Sequence, residues 1–438
     1  MRIKTTLILS ILFGVIMSSV SFAETVLTVE KVRQRALEYN RQLLSAKKEL
    51  DRAKAEIISA RSGALPQLSL DGRYTRNLTT RELFFGDEVI PISKNNEFDL
   101  SLSLTQPLYI GGKVGSALKI AKIYREYSEE AIKQAEREVV YSAESIFYSA
   151  ILAESNLDVI KKSSVVMTLS LEIAEKKFSQ GMISEYELLR ARVEKLNIQP
   201  QLISAESNLN LSRKRLKSFL GLPLNENVSL IADLSDTSSV NLPTLDTLII
   251  MAINERPEIK QANLNKRGRK KAVRIAKGDW LYPNIYANAT YQMTGSSGDR
   301  YFRDSERSDS WTASLTVNIP IFDGARTIGE VRKAKVDYYQ AKLTEQQLLD
   351  DIKLEVEQAY DNLIQAGKAL ETQTETITSA EEGKRIADLR YESGIGTQLE
   401  VLSVQTALTL ARTQYIQTVH SYRLAKAALK KATGFNID

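Results

Sequence analysis

The stretch FDLSLSLTQPLYIGG, Phe98 to Gly112, holds the change of pattern on which the architecture turns. Phe98, Leu100, Leu102 and Leu104 alternate with Asp99, Ser101, Ser103 and Thr105, and a period of two gives a strand one apolar and one polar face. Pro107 should end that ladder, and Gly111 and Gly112 permit a bend. From Lys113 onward the apolar spacing is helical. The same passage recurs downstream as WTASLTVNIPIFDG, Trp311 to Gly324. There Trp311, Ala313, Leu315, Val317 and Ile319 alternate with polar residues before Pro320 and Gly324 mark the junction.

That recurrence is part of an internal repeat. Pro107 and Pro320, Gly111 and Gly324, Phe178 and Tyr391, Gly181 and Gly394, and Gly221 and Gly434 all stand 213 positions apart. Ala36 matches Ala252 and Pro66 matches Pro283 with a slip of a few residues. The chain reads as two copies of one unit, and a repeat of this kind takes precedence over any local motif. Repeat one spans 24–221, with strands over about 66–107 and a helical hairpin over 113–220; repeat two spans 244–438, with strands over about 283–320 and a hairpin over 326–433; residues 222–243 link them. Each repeat opens with a helix. The other two strands are Leu68, Leu70 and Tyr74 against Gln67, Ser69, Asp71 and Arg73, and Ile285, Ala287, Ala289 and Tyr291 against Asn284, Tyr286, Asn288 and Thr290. Polar loops, Arg76 to Glu97 and Met293 to Ser310, join the strands of each pair.

Heptads fill the rest. Ile132, Val139, Ile146, Ala153, Ile160, Met167 and Ala174 recur every seven residues, with a second line through Ala143, Ala150, Leu157, Leu171 and Phe178. In the second copy the seams are Ile352, Ala359, Ala366, Ala380 and Ala387, and Leu349, Val356, Leu363, Leu370 and Ile377. Two seams on one helix imply a neighbour on each side. No proline lies between Lys113 and Phe178 or between Arg326 and Tyr391, so each stretch is read as one helix of about 66 residues, roughly 99 Å long. Pro200, by contrast, should kink the return helix of the first hairpin.

Composition narrows the class. Of 438 residues, 43% are hydrophobic and 26% charged, with a net charge of only +5, which suits a folded chain and argues against nucleic acid as a partner. The first 23 residues have a basic start, an apolar run from Leu7 to Met17 and small residues at Ser21 and Ala23. That is the pattern of a cleaved signal peptide, giving a mature chain that starts at Glu24. Cysteine is absent, so neither disulfides nor a cysteine-linked lipid is expected.

Four half-apolar strands on very long helices have no second sheet to cover them, and a bilayer could do so. A spanning sheet must close, yet single-chain barrels start at about eight strands. The barrel must therefore be shared: two chains give eight strands and three give twelve. Aromatic residues at strand ends and in their loops, Tyr74, Phe84, Phe85, Tyr109, Trp280, Tyr282, Tyr301, Phe302, Trp311 and Phe322, suit interfacial girdles.

The start Glu24-Thr25-Val26-Leu27-Thr28, the run Ala64-Leu65-Pro66-Gln67-Leu68 and the duplicated strand-Pro-x-aromatic-x-Gly-helix unit resemble the TolC-type outer-membrane efflux proteins. The resemblance implies a mainly α protein with a transmembrane β part. A homotrimer would form a twelve-stranded barrel in outer-membrane lipid, four strands per chain, continued by a periplasmic α-helical coiled-coil barrel. It also implies an equatorial region from segments such as Leu222 to Pro243, and as partners a periplasmic adaptor (membrane fusion) protein and an inner-membrane pump, proton-driven or of the ABC type. The hairpin tips carry the adaptor-docking role in that family, which maps onto Gly181, Met182, Ile183 and Ser184 and onto Gly394, Ile395, Gly396 and Thr397. Glu187 and Tyr391 match a polar link of the closed periplasmic gate, and Glu400 matches an acidic ring position. A second link is missing because Tyr186 and Gly396 hold its positions, and Ser403 replaces the second ring acid. Locally, the glycines also suit left-handed helix ends, and Ser184 and Thr397 suit helix caps.

No catalytic constellation is visible, and no cofactor or metal is expected: His420 is the single histidine, and no nucleophile-base set or phosphate loop occurs. An exported coiled-coil scaffold would explain the heptads but not the strands, and a secreted hydrolase would explain only the export. The cargo stays open between drugs, other small molecules and proteins.

Overall fold

The computed structural model describes residues 25–232, 242–298 and 306–434. The predicted leader, Tyr301, Phe302 and part of the 222–243 linker lie outside that range, as does the Trp280 side chain. The chain separates into two compact units, and each draws on both sequence repeats. One comprises Ser45–Gln134 and Arg256–Asp351; the other takes the chain up to Leu44, Ala135–Glu255 and everything from Ile352. Among the described residues no helix is long and apolar enough to cross a membrane.

The first unit holds a four-stranded antiparallel sheet in the order β2 (Gln67–Arg76), β5 (Asn96–Ile110), β7 (Asn284–Ser297) and β8 (Glu306–Asn318). Register sorts its faces. Asp71 pairs with Ser101, Ser101 with Gln292 and Gln292 with Ser310, while Leu70, Leu102, Tyr291 and Trp311 form the adjacent row. Since neighbouring rows point to opposite faces, one face gathers Ser69, Asp71, Arg73, Asp99, Ser103 and Gln292. The other gathers Leu68, Leu70, Leu100, Leu102, Leu104, Ala289, Trp311 and Leu315. On the polar face, Gln292 Nε2 donates to Asp99 Oδ2 at 2.6 Å, and the Ser103 and Thr290 hydroxyls meet at 3.5 Å. The Tyr291 and Trp311 rings pack at 4.9 Å on the opposite face.

Two expectations need correction here. Pro107 does not end its strand: β5 runs on to Ile110, with a register shift between Pro107 and Tyr109. A bulge accommodates a residue that has no N–H for the ladder, and Gln106 Nε2 donates to the Ala64 and Pro107 carbonyls beside it. At Pro320 the ladder does stop, because β8 ends at Asn318. The loops are also shorter than read: β7 and β8 extend well into Met293 to Ser310, and Arg76 to Glu97 contains its own hairpin, β3 (Glu82–Phe85) with β4 (Glu88–Pro91). Gly86, at φ +61, makes its turn.

The strand-to-helix junctions bend where glycine allows it. Gly111, Gly112 and Gly324 have φ of 62, 70 and 67. Ala325, at the position matching Gly112, adopts φ 66 without being glycine. Gly111 also approaches Gly278 of α6 (Pro257–Leu281) so closely that a Cβ on either would lie under 3 Å from the other's carbonyl oxygen.

The second unit is helical. α3 (Lys113–Ser179) and α7 (Arg326–Glu392) are each 67 residues long and contribute to both units. α4 (Glu185–Phe219) and α8 (Gln398–Thr433) return beside them. Most of the heptad-seam residues form the core: Val139, Ala143, Ala150, Leu157, Ile160, Met167, Leu171 and Ala174 of α3 are buried, as are Ile352, Val356, Ala359, Leu363, Leu370 and Ala387 of α7, while Phe178 at the end of its seam is exposed. Each buried Leu, Ile or Val contributes roughly 1.5–3 kcal/mol. Ile160 and Met167 pack against Ile198 of α4 and Leu402 of α8, so α3 has a helix on each side. Arg412 of α8 donates to Glu381 of α7 at 2.9 Å. α4 passes through Pro200 as one helix, with the proline on the wall of an open cleft of about 680 Å³. A short parallel ladder joins β1 (Thr25–Leu27) to β6 (Val228–Leu230). α1 (Val29–Tyr39) seats Val32 and Ala36 inward and pairs Arg33 with buried Glu144 at 2.6 Å; α2 (Arg41–Ser62) follows it in the chain, and α5 (Leu245–Glu255) buries Leu248 and Ala252.

Candidate functional site

The two hairpin tips are built alike from local backbone rules. Helix α3 ends with Gly181 N–H donating to Phe178 O and Met182 N–H to Lys177 O; α7 ends with Gly394 donating to Tyr391 O and Ile395 to Arg390 O. These paired bonds are the Schellman arrangement, which needs a left-handed residue, and Gly181 and Gly394 supply it at φ 70 and 76. Gly396 has a different role: a Cβ there would lie 2.9 Å from Arg390 and Tyr391 backbone atoms, so the turn closes tightly only with glycine.

The following helices start on side-chain caps. Ser184 Oγ accepts from Glu187 N–H at 3.3 Å, and the Glu187 carboxylate accepts from Ser184 N–H at 3.0 Å. Thr397 Oγ1 accepts from Glu400 N–H at 3.2 Å. Such caps stabilise a helix start by about 1 kcal/mol each. Among polar neighbours, each tip exposes a large apolar side chain: Met182 is 68% exposed and Ile395 71% exposed. Ile183 turns the other way and packs on Leu171, Ala174 and Ala191.

Within this chain, the residues expected to form a gate make other contacts. Glu187 and Tyr391 are not hydrogen-bonded. The Glu187 carboxylate is taken by Ser184, and the Tyr391 hydroxyl is buried with no hydrogen-bond partner among the described residues. Instead the Lys177 ammonium lies 3.9 Å from the centre of the Tyr391 ring, a cation–π contact between the last turns of α3 and α7. Glu400 accepts from Arg390 Nε at 3.4 Å, so the acid carries its own counter-charge. Lys177 and Arg390 escaped the sequence reading. The Ser-x-x-Glu spacing of a capping box was the available signal that Glu187 had a local use. His420 rests near Ser149, its Nε2 3.3 Å from the hydroxyl, and burial holds its pKa below the ordinary value. No metal-binding group of His, Cys, Asp and Glu is found among the described residues.

Very long paired helices with capped tips, and a sheet with one polar and one apolar face, are a fold this chain shares with solved outer-membrane channels. The chain belongs to the outer membrane efflux protein family, whose profile matches residues 32–222 and 248–435. It is 20% identical over 409 residues to nodulation protein T of Rhizobium leguminosarum bv. trifolii, covering 92% of this chain and 84% of that one. It is 19% identical over 420 residues to outer membrane protein TolC of Vibrio cholerae, covering 95% and 92%. The Campylobacter jejuni CmeC outer membrane channel superposes with a TM-score of 0.77 at 21% identity, over 93% of this chain and 85% of that one. Membership places the protein among the outer-membrane efflux proteins, a family of efflux channels.

Proposed function

We propose that three copies close their sheets into one twelve-stranded barrel in the outer membrane, and that the helices continue the bore through the periplasm. Cargo received from an inner-membrane pump through an adaptor would pass along it without chemistry. The observation that carries this reading is the sheet register. It lines one face with Asp71, Arg73, Asp99 and Gln292 and the other with leucines and aromatics, as a wall between water and lipid requires. A soluble scaffold would leave that apolar face uncovered. Leu189, Val193, Leu196 and Ile203 of α4 add an exposed line at heptad spacing, which a neighbouring copy would bury.

At the periplasmic end the exposed Met182 and Ile395, with Gly181, Ser184, Gly394, Gly396 and Thr397 shaping the turns, form the adaptor's docking surface; Ile183 supports it from beneath. Lys177 on Tyr391 holds the resting tip, and the Arg390–Glu400 pairs line the constriction. Relatives with names as different as cobalt-zinc-cadmium resistance protein CzcC of Cupriavidus metallidurans, 22% identical over 417 residues, and nodulation protein T support a duct whose cargo class is set by the pump. Native mass spectrometry of the detergent-extracted protein tests the assembly, and a photo-crosslinker at Met182 or Ile395 tests the docking. A trimer and a periplasmic adaptor adduct are expected; a monomer without adducts would overturn the proposal.

A further inference from the structure

The open edges of the sheet carry a charge pattern that selects their partner. On the apolar face, β2 presents Leu68, Leu70, Gly72, Tyr74 and then Arg76 toward the β2–β5 connection. On the same face β8, read toward the β7–β8 connection, presents Val317, Leu315, Ala313, Trp311 and then Asp309. Each edge therefore shows an apolar run, an aromatic residue and one charge immediately beyond it. The charges are opposite. Tyr74 marks the polar boundary on its strand, since its hydroxyl donates to Asn96 Oδ1 at 2.8 Å.

Within one protomer these charges are far apart across the sheet, and neither forms an ion pair among the described residues; both are exposed. Arg307, the nearest cation to Asp309 on its own strand, is turned over the Phe98 ring at 6.0 Å. A charge on the lipid-facing side of a barrel costs more the deeper it lies and little at the interface, so the carboxylate beside Trp311 is tolerated there and is free to meet a cation from a neighbouring edge. β2 and β8 run in opposite directions. They therefore pair antiparallel when one copy's β8 meets the next copy's β2. Aligning their aromatic rims at one membrane level brings Arg76 alongside Asp309.

We propose that Arg76 of one copy pairs with Asp309 of the next at the outer rim of the barrel, flanked by Trp311, and that this pair sets the register at which the barrel closes. The inference rests on the shared-barrel reading and adds its register. Because the chain has no cysteine, crosslinking is clean. The double variant Arg76→Cys with Asp309→Cys, treated with a short bis-methanethiosulfonate linker in membranes, should give covalent trimers on a non-reducing gel. Neither single variant should do so, nor should Arg76→Cys with Val317→Cys. In parallel, Arg76→Glu and Asp309→Arg should each shorten the trimer's lifetime in detergent several-fold, and combining them should restore it to within about twofold. Trimers that form normally without the specific crosslink, with the double reversal no better than its parts, would overturn the register. A parent chain that is monomeric before any substitution would overturn the shared barrel itself.

Discussion

Replacing Gly278 by alanine sets two effects of known size against each other. Gly278 lies in the last turns of α6, where alanine gains about 0.8–1.0 kcal/mol in helix propensity. A Cβ at that position, however, would stand 2.8 Å from the carbonyl oxygen of Gly111, and a backbone atom cannot swing aside as a side chain does. Overpacking of this kind costs about 1–3 kcal/mol, so the contact should cancel or exceed the propensity gain. Gly268 in the same helix supplies the control, since its nearest neighbour would be Ile123 Cγ2 at 3.9 Å, an ordinary contact. Alanine at Gly268 should keep the whole gain. Thermal unfolding followed by far-UV circular dichroism, on both variants in one detergent, should place Gly268→Ala at or above the parent and Gly278→Ala below Gly268→Ala by about 1–3 kcal/mol. Gly111→Ala should fall lower still, because φ 62 adds about 1–2 kcal/mol for a left-handed alanine. Equal melting of the Gly268 and Gly278 variants would refute the close approach of junction and helix.

Three further outcomes follow from the tips and the helical unit. Ser184→Ala removes the cap on α4 and should cost about 1 kcal/mol, read as several-fold faster hydrogen exchange in the first turn after Glu185; unchanged exchange would show that the cap is idle. Tyr391→Phe should leave resting conductance unaltered, because the hydroxyl finds no hydrogen-bond partner among the described residues, whereas Lys177→Ala removes a contact of about 0.5–1 kcal/mol and should raise it; the reverse pattern would point to Glu187 as the partner. Burial depresses the His420 pKa, so as pH falls through about 6.5 the unfolded chain takes up the proton before the folded one does. Stability should therefore drop on acidification, and His420→Gln should lose that part of the drop in melts compared at about pH 8 and 5.

The features readable from residues alone were those governed by local periodicity. Unbroken heptads without proline gave α3 and α7 to within a residue or two, and alternation at Phe98–Thr105 and Trp311–Ile319 separated the two faces before any register was known. Contacts between distant segments were not readable. The β1–β6 ladder joins Thr25 to Val228, and the Gly111–Gly278 contact pairs a glycine whose bend was visible with one whose neighbour was not. The β3–β4 hairpin did leave a trace, Gly86-Asp87 between the apolar runs Leu83–Phe85 and Val89–Ile90, which is a turn signal. At the tips, glycines and caps were legible because backbone geometry demands them. The Lys177–Tyr391 contact was not, because no local spacing rule tells which residues of two helix ends over 200 positions apart will meet.

Adding the purified protein to a planar lipid bilayer tests most directly whether its half-apolar sheets close around water. Insertion should produce discrete steps of ion current, with Arg390→Gln raising cation preference by freeing the carboxylate of Glu400. A protein that binds neither detergent nor lipid and never carries current would contradict the account.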